Sequence, residues 1–208
     1  MLYLLFCSHS HAAEWPDDNW NLYSMLDTQQ TNGLNITHND HAVAVFKPHA
    51  LRLNEDPSII SDADAEVILV ARFTSPCHIR KFMVIGGSTS EHHPKQMKAF
   101  VNHEGIDFTN VSNYKAAQTF DLNINEPGTM ELNVFNPNSF NNITTLTLYF
   151  PGNWSEDDDV PTVIKYIGMQ GEHTHYRREP VHADYELSCT HSEVPGVGST
   201  ANAEIEHF

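Results

Sequence analysis

The sequence has few cysteines, few basic residues and no long apolar segment. Its three cysteines, Cys7, Cys77 and Cys189, are widely spaced and odd in number, which excludes a disulfide framework and a Cys-x-x-Cys redox or zinc pair and favours a reducing compartment. Only 11 lysines and arginines stand against 27 aspartates and glutamates, for a formal net charge of −16. Such a charge favours neither nucleic acid nor an anionic membrane as a partner. The apolar run at residues 1–7 is much shorter than the roughly 18 residues of a membrane span.

The short motifs of common enzymes are missing as well. The chain has no Gly-x-Ser-x-Gly, no P-loop of the nucleoside triphosphatase type and no Gly-x-Gly-x-x-Gly after an apolar strand. Cys77 and His78 are neighbours, but in a strand their side chains point to opposite faces, so an ordinary core cysteine is favoured over a catalytic pair. The sequence therefore predicts no catalytic residue and no cofactor.

The pattern that is present is that of short β-strands. Apolar and polar residues alternate with a period of two, and turn-forming clusters such as Gly86-Gly87-Ser88 and Pro151-Gly152-Asn153 separate the runs. Helical spacing occurs only within residues 20–30. This pattern predicts an all-β, antiparallel jelly-roll β-sandwich. The predicted strands cover residues 42–46, 66–73, 78–85, 96–102, 118–122, 129–135, 144–150, 162–170 and 181–187.

The two ends of the chain lack this alternation. Residues 1–15 are histidine-containing and unpatterned, and residues 191–208 are small, glycine-containing and acidic. Segments of this kind at chain ends are typically poorly ordered. We therefore expect one domain, residues 16–190, between a flexible N-terminus and a flexible acidic C-terminal tail.

The sharpest chemical candidate is the group His173, His175 and Glu179. Histidines at i and i+2 of a strand share a face, and a carboxylate four residues later completes a possible facial metal site. The string resembles the first metal motif of the cupins, which are also jelly rolls. However, no second Pro-x-Gly-x-x-His motif follows. A cupin-like metal-dependent enzyme is thus one alternative function, and a solvent-facing strand edge is the competing interpretation.

Two further polar runs have simpler explanations. The pair His92-His93 offers too few ligands for a metal site, and we expect exposed loop histidines. The run Ser61-Asp62-Ala63-Asp64 lacks the spacing of a calcium-binding loop. It is better explained as a turn in which Ser61 and Asp62 accept backbone N–H groups at the entry of a strand.

Trp154 and the neighbouring acidic residues form the only loop grouping suited to a ligand or a partner. Aromatic platforms with polar neighbours bind sugars in many β-sandwiches, so a small-ligand or sugar-binding domain is a second alternative. Asp157, Asp158 and Asp159 are either a solvated acidic loop tip or a modest contact surface for a basic protein partner. In the C-terminal tail, Glu206 and Phe208 are candidates for binding as an extended peptide.

Several strings recur along this chain in a characteristic order, the most specific being Ser61-Asp62-Ala63-Asp64 and Tyr166-Ile167-Gly168, with Gly171-Glu172 following. Taken together they resemble the PITH domain, a proteasome-interacting module named from the C-terminal part of a thioredoxin-like protein. After Tyr-Glu the family usually continues with Asn-Pro-Ala-Asp-His, whereas this chain has Leu-Ser-Cys-Thr-His at residues 187–191. His191, at the end of this string, is a further candidate partner contact. The matching strings lie at residues 45–48, 61–68, 72–74, 79–85, 93–102, 107–108, 118–120, 140–148, 166–174 and 185–186.

The resemblance implies both a fold and a role. The fold is a jelly-roll sandwich related to galactose-binding-like domains, and the role is non-catalytic protein interaction in the cytoplasm or the nucleus. Family members fused to a thioredoxin domain associate with the 26S proteasome through this module. Since no thioredoxin domain with Cys-x-x-Cys precedes it, this chain resembles the stand-alone type, and the expected function is that of a proteasome-associated adaptor or regulator.

Overall fold

Eight β-strands and one short α-helix make up the part of the chain that the computed structural model describes, residues 20–134, 136–155, 157 and 159–174. The strands are β1 Asn32–Leu34, β2 Ile59–Ile60, β3 Val67–Gly86, β4 Gln96–Val101, β5 Gln118–Asp121, β6 Leu132–Asn133, β7 Ile143–Phe150 and β8 Val163–His173. The α-helix, α1, is His41–Ala44, and single 3-10 turns lie at Leu22–Met25, His49–Leu51, Ser90–His92 and Val111–Asn113.

Strand β3 runs for 20 residues and joins two strands that the sequence pattern predicts separately. Its register against β7 shifts between Arg72 and Cys77, where Ser75-Pro76 interrupts the alternation. Proline has no N–H to give to a ladder, so it is found at such irregularities. The first half of β3 pairs with β1 and β7, and the second half pairs with β6 and β8.

This one strand therefore belongs to two antiparallel ladders. The first ladder has the order β1-β3-β7-β4-β5, and the second has the order β6-β3-β8-β2. Their facing side chains form one core, in which the ring of Phe82 from the second ladder meets Phe120 of β5 edge to face, with ring centres 6.0 Å apart. The antiparallel β-sandwich predicted from the alternation is confirmed.

The outer faces of the two ladders are partly covered by apolar side chains that alternate along the strands with those of the core. Ile68 and Tyr149, which alternate with core residues on β3 and β7, pack with Phe100, Ile106 and Val111. On the second ladder, Trp20, Met83, Ile85 and Tyr166 form a similar cluster. Both ladders are thus buried on two sides over part of their length. This explains why strands such as β7 are almost uniformly apolar or buried.

Several predicted elements differ from the structure. Residues 42–46 are not a strand, because helix α1 begins at His41. The buried residues Ala42, Val45 and Phe46 have the i, i+3, i+4 spacing of a helix, and the alternation was the wrong period for this segment. The helical spacing at residues 20–30 yields only the 3-10 turn Leu22–Met25.

Other predictions fall beyond the described ranges. The predicted strand at residues 181–187 and the predicted flexible ends, residues 1–15 and 191–208, lie outside the described residues. Among the helices that are described, none is long and apolar enough to span a bilayer.

Candidate functional site

The loop between β7 and β8, residues 151–160, carries Trp154 and is called the tryptophan loop below. Its base is tied to the segment before β4. The backbone N–H of Trp154 donates to the His93 carbonyl at 3.0 Å, and the backbone N–H of Lys95 donates to the Gly152 carbonyl at 3.1 Å. This short antiparallel pairing holds the loop against the sandwich.

The described residues of the loop form a chain of tight turns. Asn153 Oδ1 accepts the Ser155 N–H at 3.0 Å, Ser155 Oγ accepts the Asp157 N–H at 3.0 Å, and Asp157 Oδ1 accepts the Asp159 N–H at 3.1 Å. Side chains of Asn, Ser and Asp favour this bond to the backbone two residues on. Asn153 Nδ2 also donates to the Val160 carbonyl at 2.7 Å, so both polar atoms of Asn153 serve the loop itself and not a ligand.

Trp154 is presented to solvent at the end of this arrangement. Its side chain is 41% exposed, and the Lys95 ammonium lies 5.3 Å from its ring centre. Asp157 and Asp159 are exposed on the same loop. An ordered loop with an exposed indole and carboxylates is suited to bind a protein surface that carries basic groups.

The remaining predicted contact residues are not among those that the structure describes. Asp158, His191, Glu206 and Phe208 lie outside the described residues. Of the seven predicted partner contacts, the structure therefore brings together Trp154, Asp157 and Asp159.

His93 lies beneath the loop, and the prediction that it is an exposed loop histidine is wrong. Its side chain is 1% exposed, and its Nε2 accepts hydrogen bonds from the backbone N–H groups of Gly86 at 3.0 Å and Asn125 at 3.1 Å. Burial, with a smaller contribution from Lys165, lowers the pKa of His93 to about 4. A neutral imidazole thus joins three separate segments of the chain near neutral pH.

A second feature, which the sequence analysis missed, is a cavity of about 360 Å³ at the end of β3. We call it the polar cavity. Lys165 Nζ donates to Ser88 Oγ at 2.6 Å and to Glu55 Oε1 at 3.2 Å within its wall. The only signal in the sequence was a lysine among the apolar residues at the start of β8 and a Gly-Gly-Ser-Thr turn. The wall is formed by Glu55, Asp56, Ser58, Gly87, Ser88, Thr89, His92, Val163 and Lys165.

The predicted metal group is described at one position. His173 is the last residue of β8 and lies opposite Cys77, whereas His175 and Glu179 lie outside the described residues. Burial raises the pKa of the Cys77 thiol to about 12, so this cysteine is not a thiolate ligand at neutral pH. Within the described ranges, no group of three or more His, Cys, Asp or Glu side chains is placed to hold a metal ion. The three-residue metal site stays a prediction.

Comparison with known proteins identifies the family. A family model for the PITH domain matches residues 12–189, most of the chain. The chain belongs to the PITH domain family. PITH domain-containing protein 1 of Dictyostelium discoideum is 32% identical over 181 residues, which cover 86% of both chains. The human PITH domain-containing protein 1 is 29% identical over 171 residues, covering 82% of this chain and 78% of the human protein.

Solved structures support the fold of this PITH domain. The structure of the CBM32-1, CBM32-2 and M60 catalytic domains of Clostridium perfringens ZmpB matches 72% of this chain with a TM-score of 0.50 at 12% identity. The match covers 14% of that longer chain. At this identity the likeness shows the fold alone, and the galactose-binding-like jelly roll expected from the resemblance is confirmed.

The most specific PITH string has a structural explanation. Ser61 Oγ accepts the Thr162 N–H at 2.9 Å, and Asp64 Oδ1 accepts the Glu66 N–H at 2.9 Å and an Asn35 Nδ2 hydrogen at 2.7 Å. These bonds hold the turn before β3, as expected, although the aspartate that receives the N–H group is Asp64. The turn explanation accounts for this acidic run without a calcium ion.

Proposed function

We propose that this PITH domain is an adaptor that docks on the 26S proteasome, in the cytoplasm or the nucleus, through its tryptophan loop. Membership of the PITH family supports a protein-interaction module and favours it over an enzyme. The proteasome as partner follows from the resemblance to family members fused to thioredoxin.

The observation that carries the proposal is the exposed Trp154 on an ordered loop. Tryptophan, with tyrosine and arginine, is enriched among the positions that dominate binding energy at protein interfaces. The hydrogen bonds that Asn153, Ser155 and Asp157 accept from the backbone restrain the described part of the loop before binding, which reduces the ordering entropy lost on association. A scaffold of this kind typically presents its binding residues on loops.

Charge indicates which surface of the partner is contacted. The chain carries a net charge of −16, and Asp157 and Asp159 are exposed beside Trp154. A basic patch on the proteasome is therefore the expected counterpart. Exposed charges at an interface act mainly on the association rate and are screened by salt.

Binding of the full chain to purified 26S proteasome tests the proposal. We expect Trp154→Ala to weaken the affinity by about tenfold or more, roughly 1.4 kcal/mol. The double variant Asp157→Asn with Asp159→Asn should lower the association rate and reduce its dependence on sodium chloride. Biolayer interferometry against immobilised proteasome measures both quantities.

Met130→Ala is the matched control, since this side chain is also exposed, at 46%, but lies on another loop. It should bind as the wild type does. A wild-type chain that does not bind purified proteasome contradicts the proposed partner. Binding by Trp154→Ala at wild-type strength contradicts the proposed surface.

A further inference from the structure

The polar cavity is built from different residues than the tryptophan loop and calls for a different ligand. We infer that this cavity binds a phosphate monoester, and that the carboxylate of Glu55 competes with the phosphoryl group for Lys165 and Ser88. The inference is independent of the proposed docking on the proteasome.

Lys165 is the central group. Its side chain is only 12% exposed, and its ammonium lies between Ser88 Oγ at 2.6 Å and Glu55 Oε1 at 3.2 Å. An ammonium buried to this extent needs an anion close by. Lys165 therefore defines an anion position in the wall of the cavity.

Glu55 fills that position from outside. Its side chain is 73% exposed, and it accepts hydrogen bonds from Lys165 and, at 3.0 Å, from Ser88 Oγ. These two bonds lower the pKa of Glu55, the bond from Lys165 contributing most. Because a salt bridge with one solvated partner adds little to stability, an external anion can replace the carboxylate at small cost.

The size and chemistry of the wall favour phosphate over a lone carboxylate. A volume of about 360 Å³ holds a phosphoryl group together with a small organic group. Ser58, Thr89 and His92 line the same space as Lys165 and Ser88. A phosphoryl group offers three strong acceptor oxygens, and lysine and hydroxyl groups are common donors to it.

Two neighbouring groups balance the charge of the site. Asp56 also lines the cavity, but it interacts with Lys47, a lysine that is only 8% exposed. Burial lowers the pKa of Lys47, Asp56 opposes this effect, and Lys165 adds to it, so both ammonium groups act on one region. Since Asp56 interacts with Lys47, displacement of the Glu55 carboxylate leaves the Lys165 ammonium free to pair with the phosphoryl group.

The scaffold of the cavity is held by specific contacts. Lys47 Nζ donates to the carbonyls of Asn54 at 3.0 Å and Pro57 at 3.3 Å, which flank Glu55 and Asp56 in the chain. Gly87 packs closely against His92 in the same wall, since a Cβ added at Gly87 would lie only 2.8 Å from His92 Cβ. His92 Nδ1 in turn donates to the Pro161 carbonyl at 2.8 Å, which fixes the orientation of the imidazole.

Titration of the full chain with inorganic phosphate, at constant ionic strength and followed by assigned ¹H–¹⁵N spectra, tests the inference. We expect shifts centred on Gly87, Ser88 and Thr89, and about tenfold tighter binding for Glu55→Gln, which removes the competing charge. Lys165→Met and Ser88→Ala should each lose binding by about tenfold or more. Lys165→Met keeps the apolar part of the side chain, and Ser88→Ala keeps the test valid if the lysine variant does not fold.

The ion pair of Lys81 with Glu131 provides the matched control. It is a surface pair with the same residue types, 2.8 Å apart. Glu131→Gln and Lys81→Met should bind phosphate as the wild type does. The inference is overturned if Glu55→Gln and Glu131→Gln behave alike, or if the shifts are scattered over surface lysines instead of residues 87–89.

A second titration distinguishes two sources of the phosphoryl group. O-phosphoserine is compared with a short, otherwise neutral peptide that contains phosphoserine. Tighter binding of the peptide supports a phosphorylated protein segment as the ligand, and equal affinities support a small phosphate ester. Binding of neither compound by Glu55→Gln overturns the inference.

Discussion

At the scale of single residues, His93 shows how burial determines the chemistry of a side chain. The chain has 14 histidines, and nothing in the local sequence separates His93 from its neighbour His92. Because the imidazole Nε2 accepts two backbone N–H groups and the ring is 1% exposed, protonation inside the fold is unfavourable.

We expect His93 to make the domain less stable in acid. Its pKa is lowered from an ordinary 6.5 to about 4 in the folded state, so the unfolded chain binds more protons between these values. The stabilisation is complete above pH 6.5 and is lost as the pH falls towards 4, which amounts to about 2 kcal/mol between pH 7 and pH 5. Urea unfolding at both pH values, for the wild type and for His93→Gln, measures this difference.

His103→Gln is the control for this experiment, because His103 is exposed. It should follow the pH profile of the wild type, whereas His93→Gln should lose about 2 kcal/mol of the pH dependence. Equal pH dependence in all three proteins would show that folding does not lower the pKa of His93.

At the scale of elements, the pairing of β3 with β8 depends on a glycine. Gly171 lies opposite Ile79, and a Cβ built on it would overlap the carbonyl oxygen of His78. This close approach of two backbones explains the second glycine of the PITH string at residues 166–172. The first glycine, Gly168, has the ring of Tyr166 above it.

Gly171→Ala should therefore destabilise the domain strongly. The obstacle is backbone and not a flexible side chain, so β3 and β8 must separate locally. We expect a loss of about 3 kcal/mol in the free energy of unfolding, at the upper end of the cost of overpacking. Urea denaturation followed by circular dichroism measures it.

Gly152→Ala is the matched control in the tryptophan loop. No atom of the described residues lies within 4 Å of a Cβ added there. We expect a change of no more than about 0.5 kcal/mol for this variant. If the two variants were equally stable, the close approach of Gly171 to β3 would not exist in solution.

At the scale of the whole molecule, β3 makes the two ladders of the sandwich interdependent. Its first half carries β1 and β7, its second half carries β6 and β8, and the facing residues form one core. Neither ladder can lose β3 without exposing the residues that the other one buries.

We expect the two ladders to unfold in a single transition. Trp20 reports on the outer face of the second ladder and Trp154 on the loop that follows β7 of the first. Variants in which Trp15 is replaced and only Trp20 or only Trp154 remains should show the same urea midpoint by fluorescence as by circular dichroism. A fluorescence midpoint that differs from the circular dichroism midpoint of the same variant would indicate separate unfolding of the ladders.

Much of the fold was predictable, because β-structure leaves a local mark. The period of two along much of β3, β4, β5, β7 and β8 arises because alternate side chains face the main core and the others face an outer surface that is only partly covered. Exceptions arose where few residues carried the signal. Residues 42–46 are all apolar, so the run fits either period. The helix was decided by the contact of Ala42, Val45 and Phe46 with the core.

The candidate sites were less predictable, for a physical reason. The tryptophan loop could be found because its turn chemistry and its exposed indole lie within ten consecutive residues. The polar cavity could not, because Glu55, Ser88 and Lys165 are up to 110 residues apart and meet only through the pairing of β2, β3 and β8.

Composition and local pattern were enough to establish the strongly acidic charge, the all-β class and the turn before β3, since each depends on residue types and near neighbours. The continuity of β3 through both ladders, the burial of His93 and the assembly of the polar cavity depended on the three-dimensional fold. They arise from contacts between distant segments, and the free energy of such contacts is set by burial and pairing that no short stretch of the chain contains.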